Sequence, residues 1–309
     1  MINAEQKKRS YFIGGIVICL LGAICFSTKA IFVKLAYRDT DIGAVPLLAL
    51  RMIFSLPFFI VSAWAASSKS DNIKFTWKQW LRVALVGCLG YYISSLLDFL
   101  GLQYISAGIE RLVLFIYPTL VLLMSALVFK EKVKRIQWIA VAITYLGLVI
   151  AFFGEVNLNE TRDDKLYLGA ALIFACAITY AMYIVGSGRL IPSIGAAKFN
   201  SYAMSFACAG VLLHFAVTSN DSLLDLQPSV YGYSIAMALF STVVPSFLIS
   251  EGIKRIGSDN AAIVSSVGPV STIIQANIFL QEPILAAQIA GTVLILAGVL
   301  IIGRSKSKR

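Results

Sequence analysis

Apolar residues are banded along the chain: runs of about twenty alternate with short polar gaps, and the banding recurs ten times. Lipid offers a backbone amide no hydrogen-bond partner, so a chain this apolar crosses a bilayer as helices or as a closed barrel. Runs near 20 residues favour helices, because about that many span the hydrocarbon core. The predicted spans are Phe12–Leu35, Val45–Ala66, Trp80–Gly101, Ser106–Phe129, Ile136–Phe153, Leu166–Gly186, Phe199–Val217, Tyr231–Ile253, Asn260–Leu280 and Leu285–Gly303. No connection is long enough to hold a soluble domain. Lys7, Lys8 and Arg9 ahead of the first run resemble the start of a signal peptide. That run continues to Leu35 without a small-residue cleavage site, so it reads as a retained span.

The gaps carry an independent signal. Eighteen Lys and Arg lie in the two tails and the even-numbered gaps, among them Lys69, Lys130, Arg135, Lys198, Lys254 and Arg304. The odd-numbered gaps hold only Arg38, Arg162 and Lys165 against nine acids, including Glu155, Asp163, Asp221 and Asp225. Basic residues are retained on the cytoplasmic side when loops are short. Both termini are therefore expected in the cytoplasm of a multi-pass protein of the cell's inner (plasma) membrane, and the span count is even. A miscounted helix would scramble the alternation.

Composition agrees. With 59% hydrophobic and 14% charged residues, the chain cannot coat a soluble globule. The net charge of +10 sits in clusters between apolar runs, so it reads as topology and not as a nucleic-acid surface. Cys19, Cys25, Cys88, Cys176 and Cys208 all fall within apolar runs without CxxC spacing, so neither a disulfide framework nor a metal site is indicated.

The chain also repeats itself. A shift of 151 residues aligns Gly101 with Gly252, Val113 with Val264, Pro118 with Pro269, Glu131 with Glu282, Gln137 with Gln288 and Gly147 with Gly298. A shift of 154 aligns Gly15 and the following span with Gly169 and span six. Each copy holds five spans, and an odd number inverts the second copy. The expected organisation is a first repeat at 1–153, an outer linker at 154–165 and a second repeat at 166–309. The fold class is thus all-α integral membrane, with ten transmembrane helices as two inverted five-helix repeats.

These repeated residues carry a resemblance. The pattern L-Q-Y-I-S-A-G…Y-P-T…F-K-E-K…Q…G over Leu102–Gly147 recurs as I-K-R-I-G-S-D-N-A…G-P-V…L-Q-E-P…Q-I-A-G…G over Ile253–Gly298. It resembles the paired EamA domains of the drug/metabolite transporter superfamily, as do G-A-I-C-F-S-T-K-A-I-F-V-K-L from Gly22 and P-L-L-A-L-R-M from Pro46. Cys25-Phe26 departs from the Trp-Gly-like pair of many relatives, which puts the contribution of span one to the pocket in doubt. The resemblance implies alternating access around a central cavity, no cofactor, and a small-molecule substrate such as an amino acid, sugar or nucleotide derivative, often moved outward.

Candidate chemistry follows from what lipid penalises. Pro118 and Pro269 lie at matched places in spans four and nine. Each removes an amide donor and frees backbone polar groups at mid-bilayer, which marks a transport site or a packing kink. Lys29, Arg51, Asp98, Glu110 and Arg111 are ionisable groups within spans. Counting ~1.5 Å per residue, all five lie roughly 7–12 Å outward of the span centres. A charge at that depth faces inward, pairs, or lines a watery path. Three cations and two anions leave one positive charge to meet a carboxylate or phosphate, while the acids suit an amine or a coupling proton. The alternative is internal pairing of Lys29 with Asp98 and of Arg51 with Glu110, with Arg111 snorkelling to headgroups. Tyr183 stands where Lys29 stands in the first copy, so the two mouths differ electrostatically.

Tyr91, Tyr117, Tyr180, Tyr183 and Gln275 complete the candidate binding residues, although packing explains any single tyrosine better and interhelical bonding explains Gln275 equally well. Glu131 and Glu282, the latter followed by Pro283, are expected to open the fifth helix of each repeat. His214, the lone histidine, is weak support for a metal or proton relay. Asn159-Glu160-Thr161 matches a glycosylation sequon in an acidic outer loop. The functional expectation is a secondary transporter, an exporter of small zwitterionic or anionic metabolites. The alternatives are an importer or exchanger of the same fold, and a membrane enzyme gripping a lipid phosphate with Lys29, Arg51 and Arg111. The enzyme reading lacks a nucleophile or an HExxH motif.

Overall fold

A computed structural model describes residues 4–68, 74–129, 133–156, 164–256, 264–265 and 267–307. The first repeat comprises α1 (Ala4–Asp39), α2 (Ala44–Ser67), α3 (Trp77–Gly87, continuing through Cys88–Ile93 to Ser94–Gly101), α4 (Ala107–Leu114 and Tyr117–Phe129) and α5 (Arg135–Val156). The second comprises α6 (Asp164–Ile194), α7 (Ala196–Thr218), α8 (Pro228–Ala238, continuing through Leu239–Val243 to Val244–Ile256), α9 (Gly268–Gln275 and Ala276–Leu280) and α10 (Ala286–Ser307). Among the described residues eight helices are long and apolar enough to cross a membrane, and the shorter apolar stretches Gly268–Leu280 and Ala286–Ile301 bring the count to ten. The protein is an all-α integral membrane protein built from two inverted five-helix repeats.

The repeat is visible in the element boundaries themselves. Trp77–Gly87 and Pro228–Ala238 begin and end 151 residues apart, as do Arg135–Val156 and Ala286–Ser307. The wide π-helical turns in α3 and α8 start at Cys88 and Leu239, again 151 apart. The α-helical bonding pattern also gives way in α4 to a turn at Phe115–Ile116, where Ile116 N–H donates to Val113 O and Thr119 N–H to Ile116 O, with α-helix resuming at Tyr117; in α9 it resumes at Gly268. Both restarts directly precede the matched prolines, Pro118 and Pro269.

Local chemistry explains the helix starts. Thr76 and Gln79 form a reciprocal capping box at α3, and the Ser106 hydroxyl accepts from Ile109 N–H at α4. Gln137 and Gln288 do matched work: each side-chain carbonyl accepts from the amide three residues earlier, Lys134 at 2.8 Å and Leu285 at 3.4 Å.

Several boundaries differ from the sequence reading. α6 continues past Gly186 to Ile194, because Leu190 and Ile194 bury against Phe199 and Val83 while Arg189 points outward. Only Gly195, at φ 88°, separates α6 from α7; a residue with a side chain is strained there. α10 opens at Ala286, so neither Glu282 nor Pro283 starts it; Glu282 caps a different helix, described below. Glu131, the sequon at Asn159–Thr161 and the first part of predicted span nine lie outside the described residues.

Packing runs mainly between repeats. α1 lies against α8 and α9, and in the matched arrangement α6 lies against α3 and α4; α2 pairs with α7, α4 with α9 and α5 with α10. Helices in lipid gain from close approach of small residues because the apolar driving force of water is absent. At the α5–α10 crossing a Cβ on Gly291 would lie 2.5 Å from Gly147 O, and one on Gly147 would lie 2.7 Å from Gly291 O. Overpacking of that kind costs about 1–3 kcal/mol. Gly291→Val should therefore lower the melting temperature of the detergent-purified protein, while Val293→Leu, 60% exposed on the same helix, should not. Equal melting of both variants would contradict the crossing.

Candidate functional site

A basic side chain within a span has to find its counter-charge inside the protein. Lys29 of α1 does so twice. Its Nζ lies 2.7 Å from Asp98 Oδ2 on α3 and 3.2 Å from Glu110 Oε1 on α4. The group is sealed from solvent, with Lys29 7%, Asp98 1% and Glu110 0% exposed. The Asp98 contact is an ion pair by distance without hydrogen-bond alignment, whereas Glu110 accepts a hydrogen bond. Asp98 Oδ1 and Glu110 Oε2 meet no donor among the described residues. Three of the five in-span ionisable groups thus meet as one triad across three helices. Of the alternative internal pairs, Lys29–Asp98 forms and Arg51–Glu110 does not, because Glu110 faces Lys29.

Arg51 of α2, 2% exposed, instead donates from Nε to Thr242 Oγ1 at 2.9 Å and lies 5.5 Å from the Phe99 ring centroid. Its Nη1 has no partner among the described residues. Asp98 and Tyr91 are within its electrostatic reach, but no carboxylate forms an ion pair with it among those residues. Thr242 and Tyr91 sit in the matched π-helical turns of α8 and α3, at positions 151 apart. A π-helical turn adds a residue and re-aims the side chains around it, and such turns recur at functional sites. Here both re-aimed side chains surround one buried guanidinium.

The break in α9 adjoins the same region. Ser27 of α1 donates to Gly268 O at 3.1 Å, and a Cβ on Gly268 would lie 2.7 Å from Arg111 Nη2. Arg111 therefore turns inward against the broken helix and does not snorkel outward; its Nε has no partner among the described residues. In α4, Pro118 leaves the Leu114 carbonyl without its usual helical donor. From Arg51 the site continues as a chain of rings. Tyr91 and Tyr183 meet edge to face at 5.0 Å, Tyr183 stacks on Tyr180 at 5.8 Å, and Tyr180 meets Tyr117 at 5.1 Å. Cys176, one turn before Tyr180, is within electrostatic reach of all three triad members.

Gln275 is not drawn into this assembly by any contact shown; its amide donates to Ser271 on its own helix at 2.8 Å. His214 Nδ1 and the Tyr92 hydroxyl share a hydrogen bond at 2.7 Å. Four contributors were missed from sequence: Thr242, Phe99, Ser27 and Lys34. Lys34 donates to Leu102 O and Ile105 O in the turn between α3 and α4. A hydroxyl or ring within an apolar run carries no signal of its own. Lys34 did carry one, being a charge near a span end.

Fold and site together define an inverted-repeat membrane transporter. The chain belongs to the EamA-like transporter family, whose profile matches it twice, over residues 13–153 and 167–304. It is 32% identical over 293 residues to the uncharacterized transporter YcbK of Bacillus subtilis strain 168, covering 93% of this chain and 92% of that one. An uncharacterized transporter of Archaeoglobus fulgidus is 25% identical over 82% of this chain and 88% of its own. A crystal structure 16% identical in sequence shares the fold with a TM-score of 0.65, covering 93% of this chain and 95% of that one.

Lys29→Gln removes the one cation between two buried carboxylates. Breaking a buried pair on one side costs about 3–5 kcal/mol. The variant should melt well below wild type, and adding Asp98→Asn should restore at least half of the loss. Independent, additive effects of the two changes would show that they do not interact.

Proposed function

We propose that the protein is a secondary transporter that exports small zwitterionic or anionic metabolites, amino acids among them, by alternating access around the buried charge cluster. The observation that carries this reading is the mismatch within that cluster. The Arg51 guanidinium holds an unused N–H, and carboxylate oxygens of Asp98 and Glu110 hold unused lone pairs. A solute with a carboxylate and an ammonium group satisfies both. Donors and acceptors come from both repeats, since Arg51 of α2 is held by Thr242 of α8 and Arg111 lies on the α9 break. Matched helix interruptions in inverted repeats are where transporters bind substrate.

The basic tails and even-numbered gaps support cytoplasmic termini in the plasma membrane, with repeats at 1–153 and 166–309 joined by an outer linker. On that orientation the cluster lies in the outer half of the membrane, below the α3–α4 turn. Asp98 and Glu110 are also the groups available to a coupling proton. Import or exchange on the same site differs only in direction.

Reconstituted protein should exchange labelled amino acids across proteoliposome membranes. Arg51→Gln, at equal incorporation, should cut that flux by at least roughly tenfold, the scale of one lost charged hydrogen bond. Arg51→Lys should retain part of it. Wild-type rates in Arg51→Gln would remove Arg51 from the site, and chemical change of the solute without flux would favour an enzyme.

A further inference from the structure

The N-terminus of the short helix Ala107–Leu114 is capped from the other repeat. Glu282, in the α9–α10 connection, accepts from Ala107 N–H through Oε1 at 3.0 Å and from Gly108 N–H through Oε2 at 3.3 Å. With Ser106 taking the Ile109 amide, the first three donors of the helix are satisfied. A carboxylate there also faces the positive end of the helix dipole. The carboxylate is itself fixed, because Asn277 donates to the Glu282 carbonyl and the Glu282 amide bonds Ala276 O. On the other side of the same turn, Lys34 holds the carbonyls of Leu102 and Ile105.

The element so gripped is not an ordinary stretch of helix. It carries Glu110 and Arg111, and at its far end a turn at Phe115–Ile116, weakened because Pro118 denies the Leu114 carbonyl its donor, joins it to Tyr117–Phe129. It is a short helix with a weakened turn at one end and a clasp from the other repeat at the other. We infer that Glu282 is a gating residue of the transport cycle: it latches Ala107–Leu114 to the second repeat while the outer mouth is shut, and its release lets the helix swing and carry Glu110 and Arg111 with it. The inference takes its sidedness from the proposed transport orientation.

The native Cys176, 3% exposed beside the triad, reports the opening in a chain whose other four cysteines are alanine. In right-side-out vesicles a membrane-impermeant methanethiosulfonate should modify it slowly in the wild type and on the order of tenfold faster in Glu282→Gln, as expected when a charge-assisted bond leaves a two-state balance. Ala107→Pro deletes one latch bond from the amide side at a position where proline suits a helix start, so it tests the same contact without touching Glu282. It should raise the rate less. Unchanged outer rates in both Glu282→Gln and Ala107→Pro would overturn the latch, as would a rise confined to the cytoplasmic side. No solute enters this measurement. Faster labelling without flux of any solute would therefore keep the latch and sink the transport reading, and normal flux with unchanged labelling would do the reverse.

Discussion

In hydrocarbon a charge or an open backbone amide has no solvent to turn to, so each must be answered by another part of the same chain. That constraint accounts for most of what distinguishes this protein from a bundle of greasy helices. Lys29 is answered by Asp98 and Glu110, Arg51 by Thr242 and the face of Phe99, and the first amides of Ala107–Leu114 by Glu282. The partners are mostly far apart in sequence, and several lie in opposite repeats. Compensation therefore ties the repeats together, while the glycine crossing of α5 and α10 lets their backbones touch.

Where compensation is incomplete, the structure has its chemistry. The unanswered groups gather beside two matched π-helical turns and two matched helix breaks. A helix interruption in lipid is tolerated where neighbouring helices or a cavity take up its polar groups. The Gly268 carbonyl shows one such solution, accepting from Ser27 of the first helix. The α4 segment that bears Glu110 and Arg111 ends at the turn weakened by Pro118, so in the proposed cycle it would carry both charges with it.

The sequence made the fold legible because lipid writes it in long runs: span number, charge alternation and repeat offset all survive without coordinates. Relative height along neighbouring helices was legible in part, since rise per residue is constant, and three of the five groups, Lys29, Asp98 and Glu110, do meet. Azimuth was not. Which way Glu110 faces depends on the rotation of a short helix set by Ser106 and Glu282, so its partner became Lys29 instead of Arg51. Glu282 was read as the start of the helix that follows it, whereas it caps a helix of the other repeat; local sequence cannot show a contact spanning 175 positions. The end of α6 was misjudged because Gly188, Arg189 and Pro192 look like a gap, although Leu190 and Ile194 are buried between them.

The inverted pairing is tested most directly by sided labelling of single introduced cysteines. Reporters at Asp41 and Asp225 should react with an impermeant reagent on intact cells, and reporters at Lys74 and Lys134 only after the membrane is permeabilised. Reaction of all four from one side, or of Asp41 together with Lys74, would contradict two oppositely oriented five-helix repeats and the shared charge site between them.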